Sequence, residues 1–331
     1  MPKSRLKYNS FILYTLGDPA GIGPEILTKA LNKKLCDAIA HLVVGDLNVI
    51  KRYVSSHRLK FKVHTNFEHL ELSPGVINVL NVDSDVKIHP GKPDEITGKL
   101  SYRYLKLGIE VIRKYPHRVK SLITLPVSKF HIRLAGYAFN GHTEFLQREF
   151  RVPRVEMIFL TPDFDVLLLT RHIPVKEVSK RIKKEDLVSR IIFVTDAYRR
   201  RFKLSPRIAV LGLNPHAGEG GFIGKEEEDI LKPAIEKLRK NKLHIQGPFP
   251  ADGFFRNYKQ LKFHLIISCY HDQVLPLIKA IYPQSVNFTL GLPFLRFSPN
   301  HGPAFDIAGK DKADPSSLIQ CIKYALKLNA G

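Results

Sequence analysis

Cysteine is scarce. The 331-residue chain has three, Cys36, Cys269 and Cys321, widely spaced and with no C-x-x-C pair. A scattered, odd-numbered set excludes a disulfide framework and a thiolate metal knuckle, and it points to a reduced, cytoplasmic setting. No apolar run approaches the roughly 18 residues of a membrane span. The opening MPKSRLKYNSFILYTLGDPAG is basic and then apolar. Its apolar part is about half the length an export signal needs and runs into a Gly/Asp/Pro turn, so no signal peptide is expected. There is no G-x-G-x-x-G, so the usual dinucleotide fingerprint is missing. Internal repeats, low-complexity segments and a clean Pro/Gly linker are also absent. Acidic residues are few against basic ones, 31 to 52, giving a net charge of +21. The bases nevertheless sit in mixed-sign pieces such as RIKKED and EKLRKNK. With no zinc-finger spacing, RNP-type strand or basic arm, the charge argues for a small anionic substrate and against nucleic acid or membrane as partner.

What the chain has is a substantial core. With 44% apolar and 25% charged residues it can bury a large interior. Short apolar runs flanked by turn residues recur: FILYTL from Phe11, AHLVVGD from Ala40, SLITLPVS from Ser121, DVLLLT from Asp165, RIAVLGL from Arg207 and HLIISCY from His264. Continuous apolar runs suit parallel strands buried on both faces. Between them lie helical patterns. PEILTKALNKKL opens on a proline that suits a first turn. KEEEDILKPAIEKLRKNK has acids first and bases last, complementing the helix dipole. The alternation predicts an α/β fold with mainly parallel central sheets and flanking helices, in two lobes. The expected lobes are 1–130 with 290–331, on the cofactor side, and 131–289, carrying metal, substrate and dimer contacts.

The polar residues then fall into register. DVLLLT is followed by Arg171 and His172, IAVLGL by Asn214, Pro215 and His216, and HLIISCY directly by His271. In open α/β sheets ligands bind beyond the carboxyl ends of the strands. A single histidine there is most often a loop or cap residue, and the chain has 14. Three at equivalent strand ends suggest a metal site, because neutral imidazole is a favoured ligand for zinc and related cations. A set of three without thiolates leaves coordination positions open, as in catalytic sites. Asp272 and Gln273, beside His271, are placed to orient its ring. LNPHAGEGGFIG supplies Gly218, Gly220, Gly221 and Gly224 for a close backbone approach to a ligand, or for a plain loop. GDPAGIGPEI reads equally as a phosphate-facing helix start or as a tight turn.

Taken together, GDPAGIGPEI, GHTEFL, LNPHAGEGG-x-IG-x-EE, GP-x-PADG, YHDQ, VNFTLGLPF-x-R and HG-x-A-x-DIAGK occur in order across nearly the whole chain. This set resembles the 4-hydroxythreonine-4-phosphate dehydrogenase family of pyridoxal phosphate biosynthesis. Its last phrase is also similar to the adenosine-binding loop of isopropylmalate and isocitrate dehydrogenases. The resemblance implies NAD- (or NADP-) dependent oxidation of a secondary alcohol, then loss of carbon dioxide, yielding 3-amino-2-oxopropyl phosphate. It implies a homodimer holding one divalent cation (Zn, Mg or Co) per site, with ligands from both subunits. The family's metal ligands fall on His172, His216 and His271, and its substrate contacts on His142, Thr143, Lys279, Asn287 and Arg296. For the nicotinamide cofactor the matching segment offers Gly291, His301, Gly302, Ala304 and Asp306. Asp252 and Asp272 are candidates for the general base on chemical type alone.

The chain departs from the family pattern in places. Val274 follows YHDQ where glycine is usual, and Phe297, Asn300 and Pro303 replace more polar or acidic residues. Alternative readings remain at this point. A sister dehydrogenase acting on threonate or erythronate phosphate would use the same residues. A metal-dependent hydrolase would need no nucleotide, and a nucleic-acid-binding module would bind in a salt-sensitive way without metal.

Overall fold

The computed structural model describes residues 10–31, 39–54, 59–82 and 84–328. The basic opening, Cys36 and the end of the expected PEILTKALNKKL helix lie outside the described residues. Cys269 and Cys321 are buried free thiols.

The chain divides into two compact units, 1–155 with 292–330, and 156–291. The first holds β1 (Phe11–Thr15), β2 (Ala40–Gly45), β3 (Phe61–His64), β4 (Ile77–Asn81), β5 (Val119–Thr124) and, late in the chain, β12 (Leu295–Pro299). The second holds β6 (Glu156–Leu160), β7 (Asp165–Leu168), β8 (Ile208–Leu211), β9 (Ile245–Phe249), β10 (Leu265–Ser268) and β11 (Val286–Leu290).

In the first unit the order is β3-β4-β2-β1-β5-β12, and the pairings are parallel. Central β1 is buried at every residue, which explains its unbroken apolar sequence. Flanking helices are placed by local signals. Gly23–Ala30 carries Pro24 in its first turn. Glu95–Lys114 opens on a capping box, with Thr97 N–H donating to Asp94 Oδ1 at 2.8 Å and Asp94 N–H to Thr97 Oγ1 at 3.1 Å. On that helix a Cβ at Gly98 would stand 2.1 Å from the His131 carbonyl oxygen, so only glycine lets the helix Lys129–Leu134 come this close. This contact ties the chain beyond residue 130 into the first unit. The expected boundary near 130 thus moves to Val155, and GHTEFL goes with the first unit.

In GDPAGIGPEI the tight-turn reading has backbone hydrogen bonds to support it. Asp18 N–H donates to the Pro126 carbonyl, Gly21 N–H to the Asp18 carbonyl and Ile22 N–H to the Pro303 carbonyl. These amides are used within the protein, and they close a tight turn before the helix. Asp18 is fully buried, and burial pushes its carboxyl up to about 6, against the opposing hydrogen bonds of Ala20 N–H and Thr97 and with help from the Asp94 charge. A carboxyl raised in the folded state favours folding when protonated, so its penalty is absent below its unfolded value of about 4 and complete above about pH 6. Asp18→Asn keeps the acceptor for Ala20 and removes the buried charge. Its melting temperature should exceed that of the unaltered protein at pH 8, by the equivalent of about 1–3 kcal/mol. The gain should vanish near pH 4, as thermal melts at the two pH values would show.

The second unit is mixed. β11-β6-β7 pair antiparallel, and β7-β10-β8-β9 continue parallel. Its core gathers Phe159, Phe164, Val166, Phe254, Phe263 and Ile266. Val274, one of the departures from the family, is fully buried in this core, which explains an apolar residue there. From the helix Lys184–Phe202, Arg190 crosses to Glu156 in a bidentate pair, Nε to Oε1 and Nη2 to Oε2, both 2.7 Å. It also donates to the Leu168 and Leu169 carbonyls, at 2.9 and 2.5 Å. A buried guanidinium satisfied at this many positions fixes the end of β7, just before His172.

Candidate functional site

Within the second unit the three histidines follow the carboxyl ends of β7, β8 and β10. His172 and His271 come together, with ring centroids 5.7 Å apart. Two imidazoles on one tetrahedral cation, each nitrogen about 2 Å from it, hold their centroids roughly 5 Å apart, so this pair has suitable spacing. Asp272 Oδ1 lies 2.8 Å from His271 Nδ1, leaving Nε2 as the outward nitrogen. Gln273, expected to orient the same ring, bonds to the strand ends instead. Its Oε1 accepts from Ser268 Oγ and Cys269 N–H, both 2.8 Å, and its Nε2 donates to the Gly212 carbonyl at 2.6 Å. Thr170 Oγ1 donates to the Cys269 carbonyl at 2.7 Å. These bonds bind the ends of β7, β8 and β10 to one another.

His216 stands apart from that pair. Among the described residues of one chain, no three His, Cys, Asp or Glu side chains gather as a metal set. His216 belongs to the turn Pro215–Gly221, in which residues 216–220 all have left-handed φ, between 45° and 77°. His216, Ala217 and Glu219 carry a Cβ in a region that disfavours one, a form of local strain that gathers at functional loops. The same loops expose large apolar side chains, Phe222 at 91% and Val175 at 70%.

Of the other expected residues in this unit, Lys279 is exposed in the last turn of the short helix Leu275–Ile281. Asn287 is half-buried on β11, its Oδ1 buried without a hydrogen-bond partner. Asp252 is exposed in the first turn of the helix Ala251–Leu261. Of the two base candidates, Asp272 is thus engaged by an imidazole and Asp252 is open to solvent.

The first unit gathers positive charge around a helix start. Arg296, on β12, is buried, and its Nη2 donates to Thr124 Oγ1 on neighbouring β5 at 2.6 Å. Burial pushes its guanidinium down to about 10, which leaves it charged at neutral pH. His142 and Thr143 open the helix His142–Glu149 after Gly141, whose φ of 148° requires glycine. Burial, with the Arg296 and Lys129 charges adding to it, holds the His142 ring well below its ordinary value and therefore neutral. Its Nε2 is buried without a partner, a polar atom poised for a ligand. A helix N-terminus beside fixed cations favours an anion. Thr124 and Lys129 escaped the reading of the sequence. Their only signal was a hydroxyl and a base just where SLITLPVSK leaves its strand.

The expected cofactor residues divide between the units. Gly291, with φ 104°, ends the second. In the first, His301 has a buried Nε2 without a partner, Ala304 adopts a left-handed φ of 43°, and Gly302 has open space at its Cβ position. Asp306 is exposed. The segment is braced by Glu25, a buried carboxylate that accepts from Gly309 N–H at 3.3 Å, Ala313 N–H at 2.8 Å and Lys29 Nζ at 2.9 Å. Pro303 and Phe297, two further departures from the family, are absorbed in packing. Pro303 sits where a Cβ on Gly21 would come within 2.9 Å, and Phe297 stacks on Tyr324.

Known proteins match this arrangement along nearly the whole chain. The family model described as pyridoxal phosphate biosynthetic protein PdxA matches residues 37–325. The 4-hydroxythreonine-4-phosphate dehydrogenase of Sulfurihydrogenibium sp. (strain YO3AOP1) is 37% identical over 322 residues, covering 95% of this chain and 97% of the relative. That of Aquifex aeolicus (strain VF5) is 35% identical over 319 residues, covering 95% and 97%. Among solved structures, 4-hydroxythreonine-4-phosphate dehydrogenase from Klebsiella pneumoniae superposes with a TM-score of 0.82 at 32% identity, covering 96% and 97%. A terephthalate 1,2-cis-dihydrodiol dehydrogenase from Burkholderia xenovorans LB400 is more distant, with a TM-score of 0.61 at 26% identity over 96% and 97%. The protein is an α/β enzyme of the dehydrogenase class. Within that class the chain belongs to the pyridoxal phosphate biosynthetic protein PdxA family.

Proposed function

We propose that the enzyme oxidises 4-phosphohydroxy-L-threonine with NAD (or NADP) and releases carbon dioxide, giving 3-amino-2-oxopropyl phosphate. The names of the relatives support the substrate. The observation of this structure that carries the reading is buried, charged Arg296 beside a helix start whose His142 Nε2 is buried and open to a ligand. In the first unit Arg296 suits an anionic group of the substrate, and His142 and Thr143 offer it directional hydrogen bonds; in the second, Lys279 offers a positive charge and Asn287 a carboxamide. A neutral His142 ring can donate or accept there without adding charge. A general base, for which Asp252 and Asp272 are the two candidates, takes the hydroxyl proton as the carbinol hydrogen leaves with its electron pair. The bond to the carboxylate carbon then breaks, its electrons move toward the new carbonyl, and a proton returns to carbon.

A divalent cation, zinc, magnesium or cobalt, fits the donors His172, His216 and His271, with rings drawn from both subunits of a homodimer. The His172–His271 spacing and the Asp272 contact support this donor set, and the exposed Phe222 and Val175 support a partner surface there. The nicotinamide cofactor fits the segment carrying Gly291, His301, Gly302, Ala304 and Asp306, where the unpartnered His301 Nε2 supports a ligand contact. Bound, the cation would supply Lewis acidity and the nucleotide would serve as hydride acceptor. A panel of 4-phosphohydroxythreonine, 4-phosphothreonate and 4-phosphoerythronate, followed by NADH absorbance with a divalent cation, tests the proposal. Fastest turnover is expected on the first. Preference for either of the others would reassign the substrate, and turnover without nucleotide would favour a hydrolase.

A further inference from the structure

The left-handed run around His216 needs something to hold it, and a buried carboxylate does so. Glu227 is fully buried and opens the π-helical turn Glu227–Leu231. Its Oε1 accepts from Asn214 N–H and its Oε2 from Asn214 Nδ2, both at 2.8 Å. Asn214 Nδ2 also donates to Glu226 Oε2 at 2.8 Å, and Glu226 Oε1 accepts from Ser179 Oγ at 2.6 Å. Asn214 immediately precedes the turn that carries His216.

At two of the surrounding glycines the clamp leaves no room for a side chain. A Cβ on Gly218 would stand 2.6 Å from Glu227 Oε2, and one on Gly224 2.3 Å from Asn214 Nδ2. One on Gly212 would stand 2.8 Å from Ala217 Cα. Gly220 has open space, and Gly221 meets only the Glu228 side chain at 3.6 Å. Two of the four glycines that suggested close approach to a ligand thus serve the protein's own carboxylate–carboxamide contact.

We infer that Glu227 is a positioning residue for His216, acting through Asn214. The inference rests on the reading of His216 as a cation ligand. A buried carboxyl group accepting from both the backbone N–H and the carboxamide of Asn214 fixes where the strand β8 ends and where the left-handed run begins. Groups behind a ligand typically alter metal affinity by about 10–100-fold when replaced. Glu227→Gln presents an N–H₂ group to one of the two N–H donors it must accept, so the clamp opens while side-chain volume is kept.

The test is Co²⁺ titration of the full-length protein, read by the cobalt absorption bands, with circular dichroism melts as the check on folding. Glu227→Gln should weaken Co²⁺ binding by about 10–100-fold with the fold retained. Asn214→Ala should do the same, and Glu227→Gln in the Asn214→Ala background should add little. Unchanged affinity in Glu227→Gln, or a second full loss in the double variant, overturns the inference. If Glu227→Gln fails to fold, Asn214→Ala decides alone, unchanged affinity there being the contrary result. His216→Ala separates the two levels. Weak Co²⁺ binding in His216→Ala beside normal binding in Glu227→Gln overturns only the clamp's role, whereas normal binding in His216→Ala removes the cation reading and this inference with it.

Discussion

His216→Ala should reduce cation-dependent NADH formation by on the order of a thousandfold while leaving the fold intact. Charge stabilisation by a bound cation is worth several kcal/mol, and each 1.4 kcal/mol is about tenfold in rate. Loss of one imidazole of three removes most of that, because the two that remain, His172 and His271, do not complete the set. The fold should survive, since His216 is exposed and the core of its unit is made by residues such as Phe164, Val166 and Phe254. Steady-state assays over a range of cation concentrations, with melts in parallel, measure both effects. Normal activity of this variant in chelator-treated buffer would refute the assignment of the histidine.

Arg296→Met should separate binding from stability. The guanidinium is buried, donates to Thr124 and is pushed down to about 10 by burial, so the folded chain carries a charge that its surroundings disfavour. Methionine fills much of the same volume without the cost of burying a charge. The melting temperature should therefore hold or rise. Substrate binding should weaken by about a hundredfold or more, since loss of a buried charged partner typically costs 2–5 kcal/mol. NAD binding should change little. Isothermal titrations with the phosphorylated substrate and with NAD separate the two, and equal loss of both would contradict the role. Function and stability pull against each other at this residue.

Much of the fold could be read from the chain because buried parallel strands announce themselves. DVLLLT, IAVLGL and HLIISCY are dominated by apolar residues, and the histidines that come after them, His172, His216 and His271, lie just beyond the strand ends. The antiparallel β11-β6-β7 pairing left no such mark, because register between distant strands is set by tertiary packing. The unit boundary was misplaced for a similar reason. It depends on the close approach of Gly98 to His131, a contact between two helices that no local pattern encodes. The cation histidines were proposed from their places at strand ends, and the substrate residues from long motifs. Thr124 and Lys129 lay in a stretch that read only as strand and turn. Glu227 was visible as one acid in an acidic helix start. Its burial against Asn214 emerges only when the left-handed residues 216–220 fold the chain back on itself.

The central claim is that imidazoles from separate strand ends hold one divalent cation on which the enzyme depends. Anomalous diffraction at the zinc edge, from crystals of the full-length protein grown with zinc, tests it most directly. The account predicts a single strong peak per site about 2 Å from ring nitrogens of His172, His216 and His271, the rings coming from two subunits. A peak bound elsewhere, or three rings with no ion between them, would contradict it.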